Sequence, residues 1–180
     1  MRKLTYLVAV LLVLSALPRA ARAADAPTPP KVGEKIVDFT LRDVKGRKIS
    51  TAKARKGKIF VLKFGATWCG WCNRQVPHLN RVVKEYGKKV RVIDVDVREE
   101  ADRVKAHNKR LGAKYLTVLD TTGAVAARYG VRGIPVVIIA DKEGTILFHG
   151  NYTPFDQLKK VIDNALAKDE ENKKEDDPKG

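Results

Sequence analysis

Four short β-rich runs, separated by segments with helical spacing, decide what this chain can fold into. They read KIFVLKFGA (58–66), VRVIDVDV (90–97), YLTVLD (115–120) and PVVIIAD (135–141). The first, β-branched and aromatic throughout, is a buried strand; the others are strands as well. Between the first two, residues 70–86 place Val76, Leu79, Val82, Val83 and Tyr86 at helical intervals, with Pro77 predicting a kink. Residues 99–111 give a second helix with Ala101, Val104 and Leu111 inward, and 121–129 give a brief one ahead of Gly130. PVVIIAD, a turn at Lys142-Glu143-Gly144 and TILFHG make a hairpin. IVDFTLRD and KGRKIS make an earlier one around Val44-Lys45-Gly46. Pro154 to Leu166 is the last helix, with Phe155, Leu158, Val161, Ile162 and Leu166 on one face. Strands that alternate with helices and then end in a hairpin give an α/β domain, a mixed central sheet with helices on both faces.

The two ends read differently. Arg2 and Lys3 precede an apolar run from Leu4 to Leu17, and Ala21-Arg22-Ala23 suits a signal peptidase. That is the layout of a secretory signal peptide over residues 1–23. The run is shorter than the roughly 20 residues of a membrane span; an uncleaved signal would leave a membrane anchor. Residues 24–33 are proline-rich and read as a linker, residues 34–167 as one domain, and residues 168–180 as a disordered charged tail. The chain carries a formal charge of +15, four of it from Arg2, Lys3, Arg19 and Arg22. In an exported chain without an arginine-aromatic cluster, that charge does not point to nucleic acid. An exported, periplasmic or otherwise extracytoplasmic location is expected.

Only two cysteines exist, Cys69 and Cys72, both inside WCGWC. A structural zinc site needs about four ligands. His78, His107 and His149 are the only histidines, and none lies at metal spacing from another. A structural bridge across two residues closes a tiny loop and removes little chain entropy. Disulfide exchange suits the position better. Cys69 falls just past a strand and at the start of a helix, where unpaired N–H groups and the helix dipole favour the thiolate nucleophile. Cys72, one turn on, shares its face and can attack a mixed disulfide from within. No metal and no cofactor beyond this disulfide is expected. The alternative reading is a copper-binding assembly protein that uses the same thiols as ligands.

FGATWCGWCNRQVPHL resembles the active-site segment of the thioredoxin superfamily. GEKIVDFTLRDVKGRKIS, KIFVLKFGATWC and YGVRGIPVVIIADKEGTILFHG resemble its exported TlpA/ResA-like branch, and the likeness spans roughly residues 33–167, with an inserted helix and strand at about 99–119. The resemblance implies a thioredoxin-like fold and a thiol–disulfide oxidoreductase in which Cys69 attacks and Cys72 resolves. It implies a cis Pro135, with the backbone of Ile134 presenting the substrate chain. It further implies net reduction, a membrane electron donor, and disulfide-containing exported proteins as partners, with apocytochrome c or copper-site assembly proteins as candidates.

Two departures stand out. Gly70-Trp71 fills the position between the cysteines, where the family often has proline second. Lys63 occupies the position six residues before Cys69 where thioredoxins bury an acid, so it is a candidate for tuning the redox pair. Asp94 or Asp96 on the next strand is its expected partner. Trp68, Gly70 and Trp71 are expected to line the substrate surface, the two tryptophans as an apolar platform.

Overall fold

The computed structural model describes residues 29–176. The signal peptide expected over residues 1–23, residues 24–28 of the expected linker and the last residues of the charged tail, 177–180, lie outside the described residues.

The chain order is β1 (Thr40–Asp43), β2 (Lys48–Ser50), α1 (Thr51–Arg55), β3 (Ile59–Gly65), α2 (Gly70–Tyr86), a 3-10 turn at Gly87–Lys89, β4 (Val90–Val97), α3 (Ala101–Leu111), β5 (Leu116–Asp120), α4 (Ala124–Arg128), β6 (Val136–Ala140), β7 (Ile146–Gly150) and α5 (Phe155–Asp176). Seven strands form one sheet in the order β2-β1-β5-β4-β3-β6-β7. β3, β4 and β5 run parallel, joined by crossovers through α2 and α3. Both hairpins pair antiparallel at the sheet's edges. The fold is thioredoxin-like, as expected. α1 carries no apolar stripe long enough to mark it in the sequence.

Alternation along β3 divides the core in two. Phe60, Leu62 and Phe64 face α4, packing with Ala126 and Tyr129. Ile59 and Val61 face α2 and α5, packing with Leu79, Val82, Phe155, Leu158 and Ile162. Each such side chain, fully buried, contributes roughly 1.5–3 kcal/mol. Lys63 falls on the α2 face by the same period of two, as do Asp94 and Asp96 of β4. α3 sits beside α2: Asn80 Nδ2 donates to the Gly112 carbonyl, and His107 bonds Asn73.

Two boundaries differ from the sequence reading. The last helix continues ten residues past Leu166, through most of the run assigned to a disordered tail. Lys168, Glu170 and Glu171 are good helix formers, and Asp169 is tied to Lys142 at 3.2 Å. The end of the expected linker is held to the domain. Gly33 N–H donates to Ile146 O, Ile36 N–H donates to Gly144 O, and Pro30 is buried. Ile146 lies at the start of β7 and Gly144 in the turn just before it.

Candidate active site at the disulfide

β3 ends at Gly65, and the chain turns through Thr67 and Trp68 into α2. Cys69 is the N-cap of that helix, with extended backbone. Its Sγ accepts the Cys72 N–H at 3.1 Å, so one of the donors left free at the helix start points at this sulfur. Cys69 and Cys72 form a disulfide with Cα atoms 5.2 Å apart. Cys69 is 7% exposed and Cys72 1%.

The Ile134–Pro135 bond is cis. The Ile134 carbonyl lies 3.6 Å from Cys69 Sγ, so the segment ahead of β6 borders the disulfide. Trp68 and Trp71 are 72% and 54% exposed; Val32 is the only other exposed large apolar side chain among the described residues. Trp71 leans on Tyr152, at 5.1 Å between centroids, and the Arg74 guanidinium lies over the Trp71 ring at 4.6 Å from its centroid. Gly70 is exposed at the first helical position, with open space where a Cβ would be. Two grooves flank the Ile134 ridge. One of about 620 Å³ lies between Trp68, Cys69 and Ile134. The other, about 580 Å³, lies between Trp71, Pro135 and Tyr152. Thus Trp68, Gly70, Trp71, Ile134 and Pro135 gather around the two cysteines.

Beneath the disulfide lies a buried polar cluster. Lys63 Nζ pairs with Asp94 at 2.8 Å, both side chains 5% exposed. The lysine therefore does not reach solvent, and of its two expected partners Asp94 makes the ion pair. A Cβ at Gly65 would collide with the Lys63 ammonium and sit 3.2 Å from Cys72 Sγ. Glycine there leaves the lysine room beside the Cys72 sulfur. Asp96 is 3% exposed, and its Oδ1 has no hydrogen-bond partner. Burial, then the Asp94 and Glu99 carboxylates, push its carboxyl from the ordinary 3.8 up to about 8.

That shift has a stability consequence. The unfolded chain releases the Asp96 proton near pH 4, while the folded chain keeps it to about pH 8. The stability it confers is complete below pH 4 and is lost as pH rises toward 8. The full separation, with the lowering effect of the Lys63 cation already in it, corresponds to about 5–6 kcal/mol at 1.36 kcal/mol per unit; solvent screening reduces what is realised. Asp96→Asn is therefore expected to gain about 2–3 kcal/mol over wild type between pH 4.5 and 7.5. Urea unfolding at both pH values reads the gain, and parallel stability curves would refute it.

Several residues at the site escaped the sequence reading. Glu99 accepts from Thr67 N–H at 2.5 Å and from its hydroxyl at 2.6 Å, clamping the turn two residues before Cys69. Gln75 exchanges two bonds with the Thr153 backbone and fixes the loop that carries Tyr152. Arg98 has φ 60°, the only non-glycine residue with positive φ among those described. The one available signal was position: Arg98 and Glu99 follow β4 at the same carboxyl edge as Cys69. Both nitrogens of His78 are engaged, by Tyr152 OH and the Phe155 N–H. Those of His107 are engaged by Asn73 and Arg110. His149 lines the groove beside Trp71. Among the described residues, no three His, Cys, Asp or Glu side chains converge on a common metal position.

The AhpC/TSA family model matches residues 32–149. Thiol-disulfide oxidoreductase ResA of Bacillus thuringiensis subsp. konkukian is 31% identical over 118 residues, which span 65% of this chain and 68% of the relative. ResA of Geobacillus thermodenitrificans is 31% identical over 140 residues, 77% and 73% of the two chains. Among solved structures, a putative thiol:disulfide interchange protein DsbE from Chlorobium tepidum superposes with a TM-score of 0.70 at 26% identity, covering 76% of this chain and 99% of that one. With a Cys69–Cys72 disulfide at a helix start on a thioredoxin-like sheet, the chain belongs to the AhpC/TSA family, as one of its ResA-like thiol–disulfide oxidoreductases.

Proposed function

We propose that this oxidoreductase works outside the cytoplasm as a net reductant of disulfides in other exported proteins. Cys69 thiolate attacks a substrate disulfide and expels one substrate thiol. Cys72 then attacks the Cys69 sulfur and frees the second. Two electrons pass from the dithiol to the substrate, and the Cys69–Cys72 disulfide forms. The Ile134 backbone, with Pro135 behind it, steadies the substrate chain beside Cys69, and Trp68, Gly70 and Trp71 bound its path. Apocytochrome c and copper-site assembly proteins are candidate substrates, and a membrane electron donor restores the dithiol.

The observation that carries the reductant reading is the Lys63–Asp94 pair beneath buried Cys72. A pair becomes a strong oxidant when its reduced form is stabilised. The cation nearest Cys72 is matched by a carboxylate, and Cys72 is withdrawn from water, so a thiolate there gains little. Stabilisation is confined to Cys69, through the Cys72 N–H and the helix start. The midpoint potential is expected at or below about −200 mV, toward thioredoxin's −270 mV and away from the −120 mV of a strong oxidant. Equilibration in thiol redox buffers, followed by the fluorescence of Trp68 and Trp71, measures it. A value above about −180 mV would make the protein an oxidant or isomerase instead. The apolar Leu4–Leu17 run supports export. A fusion of residues 1–30 to a phosphatase that folds only outside the cytoplasm should be active.

A further inference from the structure

Every charged side chain lining the two grooves beside the disulfide is basic. Arg98 and Arg132 border the groove next to Trp68, and Arg132 also borders the groove next to Trp71. Among the described residues, no Asp or Glu lines either groove. This is not for want of acids in the domain: basic side chains elsewhere, such as Arg47, Arg55, Lys142 and Lys159, are paired with carboxylates. Arg98 and Arg132 form no ion pair and no side-chain hydrogen bond among the described residues. Two unpaired arginines therefore stand beside the reactive sulfur.

Arg98 is also held there at a cost. Its φ of 60° puts a bulky residue in the left-handed region, worth on the order of 1–2 kcal/mol. Its backbone N–H donates to Asp120 O at 3.0 Å, locking that conformation. Its guanidinium lies over Gly123, where a Cβ would come within 2.6 Å of Nε. The missing side chain at Gly123 thus leaves the seat on which the guanidinium rests, at the groove's edge.

We infer that the substrate segment docking across Cys69 is acidic, with Asp or Glu side chains flanking its cysteine that are met by Arg98 and Arg132. This rests on the thiol-exchange reading of the same site and names the class of partner. Guanidinium groups take carboxylates in a bidentate fork. Trp68 and Trp71 supply the apolar contact between them, and large aromatics with arginine are the residue types that anchor such interfaces. Complementary charge raises the association rate at low salt and loses effect as salt screens it.

The test uses three synthetic peptides, each with one cysteine held as a mixed disulfide with 2-mercaptoethanol. Their cysteines are flanked by four Glu, four Gln or four Lys. The reduced protein attacks the peptide sulfur, 2-mercaptoethanol leaves, and Cys72 releases the peptide thiol while the protein becomes the disulfide. In 20 mM salt the Glu peptide is expected to react about 10-fold faster than the Gln peptide, with the Lys peptide slowest; in 0.5 M salt the Glu:Gln ratio should fall below about 3. In Arg98→Gly/Arg132→Gln the ratio should fall toward 1 at low salt; glycine accepts the φ of residue 98, so this variant keeps the backbone. Lys88→Gln/Arg91→Gln, which removes two exposed charges at the far end of β4, should keep the wild-type ratio. Equal rates for the three peptides, or a Glu preference that survives in Arg98→Gly/Arg132→Gln, would overturn the inference. So would a ratio lost equally in Lys88→Gln/Arg91→Gln, which would assign the preference to net charge. Hydroxyethyl disulfide, small and neutral, separates the two levels. Its reduction with no peptide preference refutes only the acidic partner, whereas failure to reduce it removes the exchange reading beneath.

Discussion

Lys63→Met is expected to destabilise the protein by about 3–5 kcal/mol, although methionine nearly matches the lysine stem in volume. The cause is what it leaves behind. Asp94 is 3% exposed and paired with Lys63 at 2.8 Å. Without the ammonium its carboxylate stays buried near Asp96 and Glu99, both 8% exposed or less. Breaking a buried pair from one side costs far more than removing both halves. Lys63→Met/Asp94→Asn should therefore recover most of the loss, and urea unfolding of the four proteins in the cycle measures it. The pair should also register at the sulfurs. In the single variant an unmatched carboxylate beneath the disulfide disfavours the Cys69 thiolate and lowers the reduction potential by about 30 mV; the double variant should return toward wild type. A single-variant cost under about 1 kcal/mol, or a double variant no more stable than the single, would mean that the pair carries no such weight.

That pair also marks how far the sequence was legible. The sequence put Asp94 and Asp96 on the strand after Lys63 and left the partner open between the two. The choice between them came from register: β3 and β4 align Lys63 directly with Asp94, two places short of Asp96. Register is a tertiary property that neither strand encodes alone. The strands 58–66 and 90–97 and the helix 70–86 were legible to within a residue, because each carries a full period of buried side chains. The helix runs through Pro77 to Tyr86, as its apolar spacing required. α5 ran past its expected end because the charged stretch after Leu166 is also made of helix formers, and Lys142 lies across the fold to hold Asp169. The Thr67–Glu99 clamp bridges 32 residues of sequence between two polar side chains. Nothing in composition or spacing separates such a pair from two solvated surface residues. The cysteines were legible for the opposite reason. Their chemistry depends on a spacing of three and a helix start, both local.

Cys69→Ser and Cys72→Ser are expected to fail in different ways, and the difference is the sharpest test of their order in the reaction. Cys69 is the more exposed sulfur, faces the Ile134 carbonyl at 3.6 Å and accepts the helix-start N–H. Cys72 is 1% exposed, against Gly65 and the Lys63 ammonium. An incoming disulfide can line up on Cys69 but has no approach to Cys72. Cys69→Ser should therefore lose peptide-disulfide reduction by about 10³-fold or more, since an alcohol is a far weaker nucleophile than a thiolate. Cys72→Ser should keep the first attack at close to the wild-type rate and then stop, holding the peptide on Cys69 in near-stoichiometric amount. Mass spectrometry of the intact adduct counts the bound peptide, and stopped-flow fluorescence times the first step. In the reduced wild type, alkylation should label Cys69 well ahead of Cys72. Full turnover by Cys72→Ser, or faster labelling of Cys72, would reverse the assignment. The burial of Cys72 would then need a route for substrate past Trp71, which leans on Tyr152 over that side of the disulfide.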